Sequence, residues 1–242
     1  MSENSGTEDL FQQGRDAIDS GDYAKAVELL NKAAEQGHEI AQSNLGFLLG
    51  YMYLNGMGVP KNPDEAVKWY TKAADGGNSF AQNSLGNIYI DGKDVPKNPE
   101  QAIKYYTMAA EQGNVYSQTA LAVMYHQGDG VDQDYVQAFK FYSDVANADQ
   151  EDPDEIQFIA NAMGQLGTYY YTGCGVKQDN GMAIEWMTKA ADLGSAYAQY
   201  SMAQHFLYGT CGLERNESKA KEWLEKAAAQ GFAEAIEALK LI

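Results

Sequence analysis

Apolar residues along this chain recur at helical spacing, and the helical stretches come in pairs. From Ala81, the residues Ala81, Leu85, Ile88 and Tyr89 occupy positions i, i+4, i+7 and i+8, one face of an α-helix. The same face returns with a Tyr-x-x-Gly mark at its end: Tyr53/Gly56, Tyr89/Gly92, Tyr125/Gly128 and Tyr170/Gly173, with Phe206/Gly209 as a fifth copy. The glycines are 36, 36, 45 and 36 residues apart, so one nine-residue insertion accounts for the only break in register. A period of this size predicts a solenoid of supersecondary units, each able to bury its apolar face only against its neighbours.

A second helix follows each glycine. Asn62-Pro63-Asp64-Glu65-Ala66 leads into Trp69-Tyr70, Lys72-Ala73-Ala74 and Gly76-Gly77; Asn98-Pro99-Glu100-Gln101-Ala102 leads into Tyr105-Tyr106, Ala109-Ala110 and Gly113. Asn62 and Asn98 are expected to cap a first turn. Proline fits the next position, where no amide hydrogen is needed, and Glu65 or Gln101 completes a capping-box pattern. The trailing glycine supplies a left-handed C′ residue. Later units keep Ala138/Phe141/Tyr142, Ala183/Trp186/Ala190/Ala191/Gly194 and Ala220/Trp223/Ala227/Ala228/Gly231. Gly86, with Gly50, Ala122, Gly167 and Ala203 at equivalent positions, lets the two helices of a hairpin approach closely. The recurring Tyr53, Tyr89, Tyr125, Tyr170, Trp69, Trp186 and Trp223 are expected to be packing residues.

The pattern Ala-x-x-x-Leu-Gly-x-x-Tyr-x-x-Gly-x-Gly-Val, then Ala-x-x-Trp-x-x-x-Ala-Ala-x-x-Gly, resembles the Sel1-like repeat (SLR), a relative of the tetratricopeptide repeat. Five units match over residues 41–231. Residues 9–40 resemble a tetratricopeptide unit through Gly14, Gly21-Asp22-Tyr23, Ala26 and Ala33-Ala34, and residues 232–242 read as a C-terminal capping helix. Residues 1–8 are expected to be a disordered tail. The implied fold is all-α, a right-handed superhelical α/α solenoid of about thirteen helices. The first full repeat is four residues longer than its counterpart from Ala81, one helical turn. The insertion, within residues 147–157, is acidic around Pro153 and reads as a solvated loop or an extended helix end, or as an acidic docking element or cation site.

The formal charge of −17 argues against nucleic acid and favours neutral to basic polypeptide partners. No apolar run is long enough to span a membrane, and Met1–Ser5 carries no signal-peptide features, so a cytoplasmic protein is expected. Cys174 and Cys211 are expected to be reduced. Catalytic patterns are incomplete. His38-Glu39-Ile40-Ala41-Gln42 has Gln42 where a zinc-protease helix needs a second histidine, and Gly86–Asp94 departs from a phosphate loop in spacing and in its final residue. No enzymatic activity, cofactor or metal is expected.

By analogy with tetratricopeptide folds, the first helix of each hairpin lines a concave face. Repeat alignment places Phe47, Tyr51, Asn55, Phe80, Asn83, Asn87, Tyr116, His126, Tyr171, Tyr197, Tyr200, Gln204 and Tyr208 there, and adds Phe11, Arg15, Ile18, Leu54, Ile90, Asp91, Thr119, Val123, Gln127, Asn161, Thr168, Thr172 and Leu207. These positions vary between units while core positions repeat, as a surface specialised for one ligand would. Its rings give contact area at small entropic cost, and its amides can pair with a peptide backbone. The resemblance implies a non-enzymatic protein–protein interaction scaffold or adaptor. The alternatives are a bacterial immunity protein that occludes a toxin or effector, and a β-lactam-hydrolysing enzyme. A monomer is favoured, although the sequence leaves oligomeric state, partner and pathway open.

Overall fold

The computed structural model describes residues 3–36, 39–149 and 152–242. His38 of the zinc-protease-like run and Glu151 of the acidic insertion lie outside these. Thirteen helices occur among the described residues, and no strand: α1 (Glu3–Asp19), α2 (Tyr23–Glu35), α3 (Glu39–Asn55), α4 (Pro63–Asp75), α5 (Ser79–Asp91), α6 (Pro99–Ala110), α7 (Val115–Gln127), α8 (Tyr135–Ala146), α9 (Pro153–Thr172), α10 (Asn180–Asp192), α11 (Ala196–Tyr208), α12 (Glu217–Ala229) and α13 (Ala233–Leu239). They form two compact units, Met1–Asn114 and Val115–Ile242. Within each unit successive helices pack on one another, odd-numbered helices being the first of each hairpin. Helix α1 starts at Glu3, so residues 3–8 are helical rather than the disordered tail expected of that segment.

Each hairpin from α3 onward is closed by the residue that starts its second helix. The side chain of Asn62 accepts from the Glu65 amide, Asn98 from Gln101, Asp134 from Val136 and Gln137, Asp179 from Met182, and Asn216 from Lys219. The backbone N–H of the same residue reaches back to the first helix. Asn62 donates to Tyr53 O at 2.8 Å, Asn98 to Tyr89 O at 2.8 Å, Asp134 to Tyr125 O at 2.9 Å, Asp179 to Tyr170 O at 2.9 Å and Asn216 to Phe206 O at 2.8 Å. That N–H is therefore not offered to Glu65 or Gln101, and only the first half of the expected capping box is used. The hairpin gains a link between its helices in exchange.

At the other end, Gly77, Gly113, Gly194 and Gly231 take the left-handed conformation, with φ of 82–94°. The amides that follow reach the first alanine of each pair, Asn78 to Ala73 O and Asn114 to Ala109 O among them. This is the hydrogen-bond pattern of the Schellman motif. Helix α3 is 17 residues long against 13 for α5, so its extra residues are one more turn. Helix α9 has 20, so the insertion enters chiefly as added helix, capped by Asp152.

The interior of each hairpin rests on a small residue facing a large one. A Cβ placed on Gly86 would lie 2.4 Å from the Tyr106 ring, and one on Gly50 2.7 Å from Tyr70. Tyr70 and Tyr106 are buried, as are Tyr142, Met187 and Leu224 at the same position. The preceding position, where Trp69, Trp186 and Trp223 stand, is only half-buried. A lysine ammonium lies over each of these indoles, Lys72 at 5.2 Å, Lys189 at 4.6 Å and Lys226 at 4.0 Å from the centroid.

Buried glutamines join successive hairpins. Gln82 donates through Nε2 to Ala74 O at 3.1 Å and accepts at Oε1 from Gln112 at 2.7 Å, tying α4, α5 and the end of α6. Gln199 does the same with Ala191 O at 3.0 Å and Gln230 at 2.9 Å. Each amide is a second donor to a helix-end carbonyl that already accepts from the left-handed glycine, Gly77 N–H to Ala74 O and Gly194 N–H to Ala191 O, and so links one hairpin to the next.

The space around each glycine fixes the sign of two substitutions. Gly86→Val is expected to lose about 1–3 kcal/mol, because no side chain enters without displacing a buried ring. Gly6→Ala, in α1 with nothing within 4 Å of its added Cβ, is expected to gain up to about 1 kcal/mol from helix propensity. Thermal denaturation followed by circular dichroism reads both.

Candidate functional site

In the first unit, Phe47 and Tyr51 of α3 and Phe80 of α5 come together in a groove of about 460 Å³, with Arg15, Ile18, Asp19, Tyr23, Asn44, Leu48 and Asn78. The Phe47 ring packs at 5.7 Å from Tyr70 and 6.3 Å from Phe80. Phe47 is thus part wall and part support, whereas Phe80 is 55% and Tyr51 40% exposed. Tyr23, on a second helix, is a wall residue that first-helix alignment could not supply.

Tyr51 also borders a second cavity of about 290 Å³, lined by Leu54, Asn55, Tyr70, Ser84, Asn87, Ile88, Asp91 and Asp94. Two expected amides, Asn55 and Asn87, are here. Asn55 Nδ2 donates to Tyr51 O at 2.9 Å, and Asn87 Oδ1 accepts from the Tyr106 hydroxyl at 2.7 Å. Burial pushes the Tyr70 phenol up to about 12, against a smaller opposing effect of its hydrogen bond with Ser84, so it remains a neutral hydroxyl. Asp94 pairs with Lys61 at 2.8 Å and Asp91 with Lys93 at 3.2 Å, both partly exposed. Asn83 is half-buried on α5 and lines neither cavity.

In the second unit, Tyr171 of α9 and Tyr197, Gln204 and Tyr208 of α11 line a cavity of about 420 Å³ with Thr168, Thr172, Met187, Ser201, His205 and Thr210. The Tyr197 hydroxyl meets Thr168 Oγ1 at 3.0 Å. His205 is buried, with Nδ1 2.7 Å from Thr210 Oγ1 and its ring edge-on to Tyr171 at 5.3 Å. Burial holds its imidazole below the ordinary value, so it is neutral at neutral pH.

Three expected residues of this unit are engaged in packing instead. Tyr116 meets Phe158 edge-on at 5.0 Å, and Phe158 belongs to the lengthened α9, so the insertion covers it. His126 is held by the Tyr169 hydroxyl at 2.7 Å from Nδ1 and packs edge-on against Tyr135. Tyr200 lies 5.4 Å from Phe232, under the last hairpin's exit. Repeat alignment reports a position on a helix, and what the neighbouring hairpin lays over it is a separate matter. Cys174 and Cys211 are free, and no described helix is long and apolar enough to cross a membrane.

Two measurements follow from these placements. Tyr200→Ala is expected to cost about 1–3 kcal/mol, whereas Tyr208→Ala, at a ring 72% exposed, should stay within about 0.5 kcal/mol in thermal denaturation. For His205, the unfolded chain binds a proton that the fold excludes. Its stabilising contribution is whole above the unfolded value of about 6.5 and is lost as pH falls below it. The drop in Tm between about pH 7 and 5.5 is expected to be smaller in His205→Gln than in the parent chain.

A family model described as the Sel1 repeat matches six segments, residues 5–38, 40–78, 79–114, 115–143, 160–195 and 196–232. The first is the hairpin that resembles a tetratricopeptide unit in sequence, and it counts as a Sel1 unit; the one internal gap of more than a residue holds the insertion. The crystal structure of a Sel1 repeat protein from Oxalobacter formigenes is 28% identical with a TM-score of 0.82, over 94% of this chain and 88% of that one. A protective antigen present in uropathogenic Escherichia coli strains, displaying an SLR fold, is 29% identical with a TM-score of 0.54, over 96% of this chain and 56% of that one. An F-box protein of Arabidopsis thaliana is 38% identical over 65 residues, 27% of this chain and 17% of that protein. The six repeats, in an all-helical α/α solenoid fold, establish that the chain belongs to the Sel1 repeat family.

Proposed function

We propose that the chain is a non-enzymatic scaffold or adaptor that binds a polypeptide partner through the first helices of its hairpins. One observation carries this reading. Every exposed aromatic ring among the described residues, Tyr51, Phe80, Tyr171, Tyr197 and Tyr208, is on a first helix and lines a cavity. Exposed rings gathered in cavities are the usual anchors of protein recognition, since their contact area is realised only when a partner covers them. Sel1 repeats typically serve protein–protein interaction. The charge of −17 favours a neutral to basic partner, and two free cysteines fit a reducing, cytoplasmic setting. An inhibitor that occludes a toxin would use the same surface and would be recognised by what it captures.

Affinity capture with mass spectrometry identifies the partner, and calorimetric titration then tests the surface. Tyr51→Ala, Phe80→Ala and Tyr208→Ala are each expected to weaken binding, by at least about 1–2 kcal/mol where the ring is central, with Tm nearly unchanged. Wild-type affinity in all three overturns the reading.

A further inference from the structure

We propose that the two cavities of the first unit form one bipartite site for an extended peptide, with an apolar or aromatic residue in the first and a basic residue, two positions along, in the second. The proposal rests on the scaffold reading above and names the chemistry of the segment received. Tyr51 lines both cavities, so the two adjoin at one residue. An extended chain turns residues i and i+2 to the same side, about 6.6 Å apart, which suits two cavities that adjoin at one residue.

The cavities differ in chemistry. Ile18, Phe47, Leu48 and Phe80 make the first mainly apolar, and its two charged side chains, Arg15 and Asp19, oppose each other in sign. The second is lined by the carboxylates of Asp91 and Asp94, with the Asn55 and Asn87 amides and the Ser84 hydroxyl, and by no basic side chain. A guanidinium or ammonium entering it would meet carboxylate acceptors while its stem lay along Tyr51. The surrounding charge of −17 draws such a group in.

Asp91 stands where a carboxylate does not favour the helix that carries it. It is the last residue of α5, at the negative end of the helix dipole, where a carboxylate is destabilising. Burial, joined by the smaller effect of the Asp91 charge, holds the Tyr106 phenol as a neutral hydroxyl. The partner of Asp91, Lys93, is 79% exposed, and the Lys61–Asp94 pair is also partly open to water. Surface pairs of this kind hold weakly, so an incoming cation can share or replace them.

Fluorescence anisotropy on the full chain tests this with a fluorescein-labelled Gly/Ser heptapeptide carrying phenylalanine and arginine two positions apart. Saturable binding is expected, weakened at least about tenfold, or ~1.4 kcal/mol, when the peptide's arginine is glutamate, when its phenylalanine is serine, in Phe80→Ala, and in the Asp91→Asn/Asp94→Asn variant. Asp91→Asn alone should keep or raise Tm while still weakening binding, which separates recognition from unfolding. Absence of saturable binding, equal affinity for the glutamate peptide, or wild-type affinity in the Asp91→Asn/Asp94→Asn variant overturns the proposal. A partner captured from cells whose affinity ignores Tyr51, Phe80 and Tyr208 overturns the scaffold reading instead.

Discussion

A single residue at the start of each second helix holds the hairpins from α3 onward together. Its side chain satisfies an orphan amide of the helix it begins, and its own N–H binds the carbonyl of the signature aromatic on the helix before. Two orphaned ends are joined through one residue, which fixes where the second helix starts relative to the first. That register sets Gly50 against Tyr70 and Gly86 against Tyr106, and a shift by one residue would bring a side chain into either ring. Asparagine and aspartate suit the position because each is short, accepts through its side chain and donates through its backbone.

The close approach then divides labour within the hairpin. With the large side chain at Tyr70 filling the interior, the neighbouring Trp69 is left half-buried under Lys72, whereas Tyr105 beside Tyr106 is itself buried, stacked on Tyr89 with the Lys104 ammonium 5.4 Å from its ring centroid. The first helix uses its small face for the partner helix, and its remaining face is free for aromatics that the fold does not need. Buried Gln82 and Gln199 supply the polar matching between hairpins that apolar packing alone leaves undone. Specificity of stacking and freedom of surface therefore come from different residues on the same helix.

The second unit shows how an insertion redistributes a surface. Lengthening α9 adds Phe158 beside Tyr116, and the carboxylates of Glu155, Asp152 and Asp154 join burial in raising the Tyr116 phenol. A ring equivalent by repeat alignment to exposed Phe80 thereby becomes half-buried. Local helix extension, with no change in the repeat pattern itself, withdraws one candidate contact and leaves Tyr171, Tyr197 and Tyr208 as the open rings of that unit.

The repeat period, the helical class, the caps, the trailing glycines and the small positions at Gly50, Gly86 and Gly167 were all legible in the sequence. They depend on contacts within one hairpin, and a local rule written several times over is hard to misread. The helicity of residues 3–8 was not legible, because its polar composition carries no apolar period and the helix there is supported by the packing of α1 on α2. The exposure of each first-helix aromatic was not legible either. Tyr51 and Tyr208 are open, while Tyr200 rests on Phe232 and His126 on Tyr169, although all occupy the same helix face by alignment. The sequence by itself determined which residues each hairpin must bury, since backbone caps and helical periodicity act over a few residues. Which of the remaining rings meet solvent, and that Asp91 and Asp94 stand beside Tyr51, only the tertiary structure decided, because burial is set by the neighbouring hairpin and not by the residue's own helix.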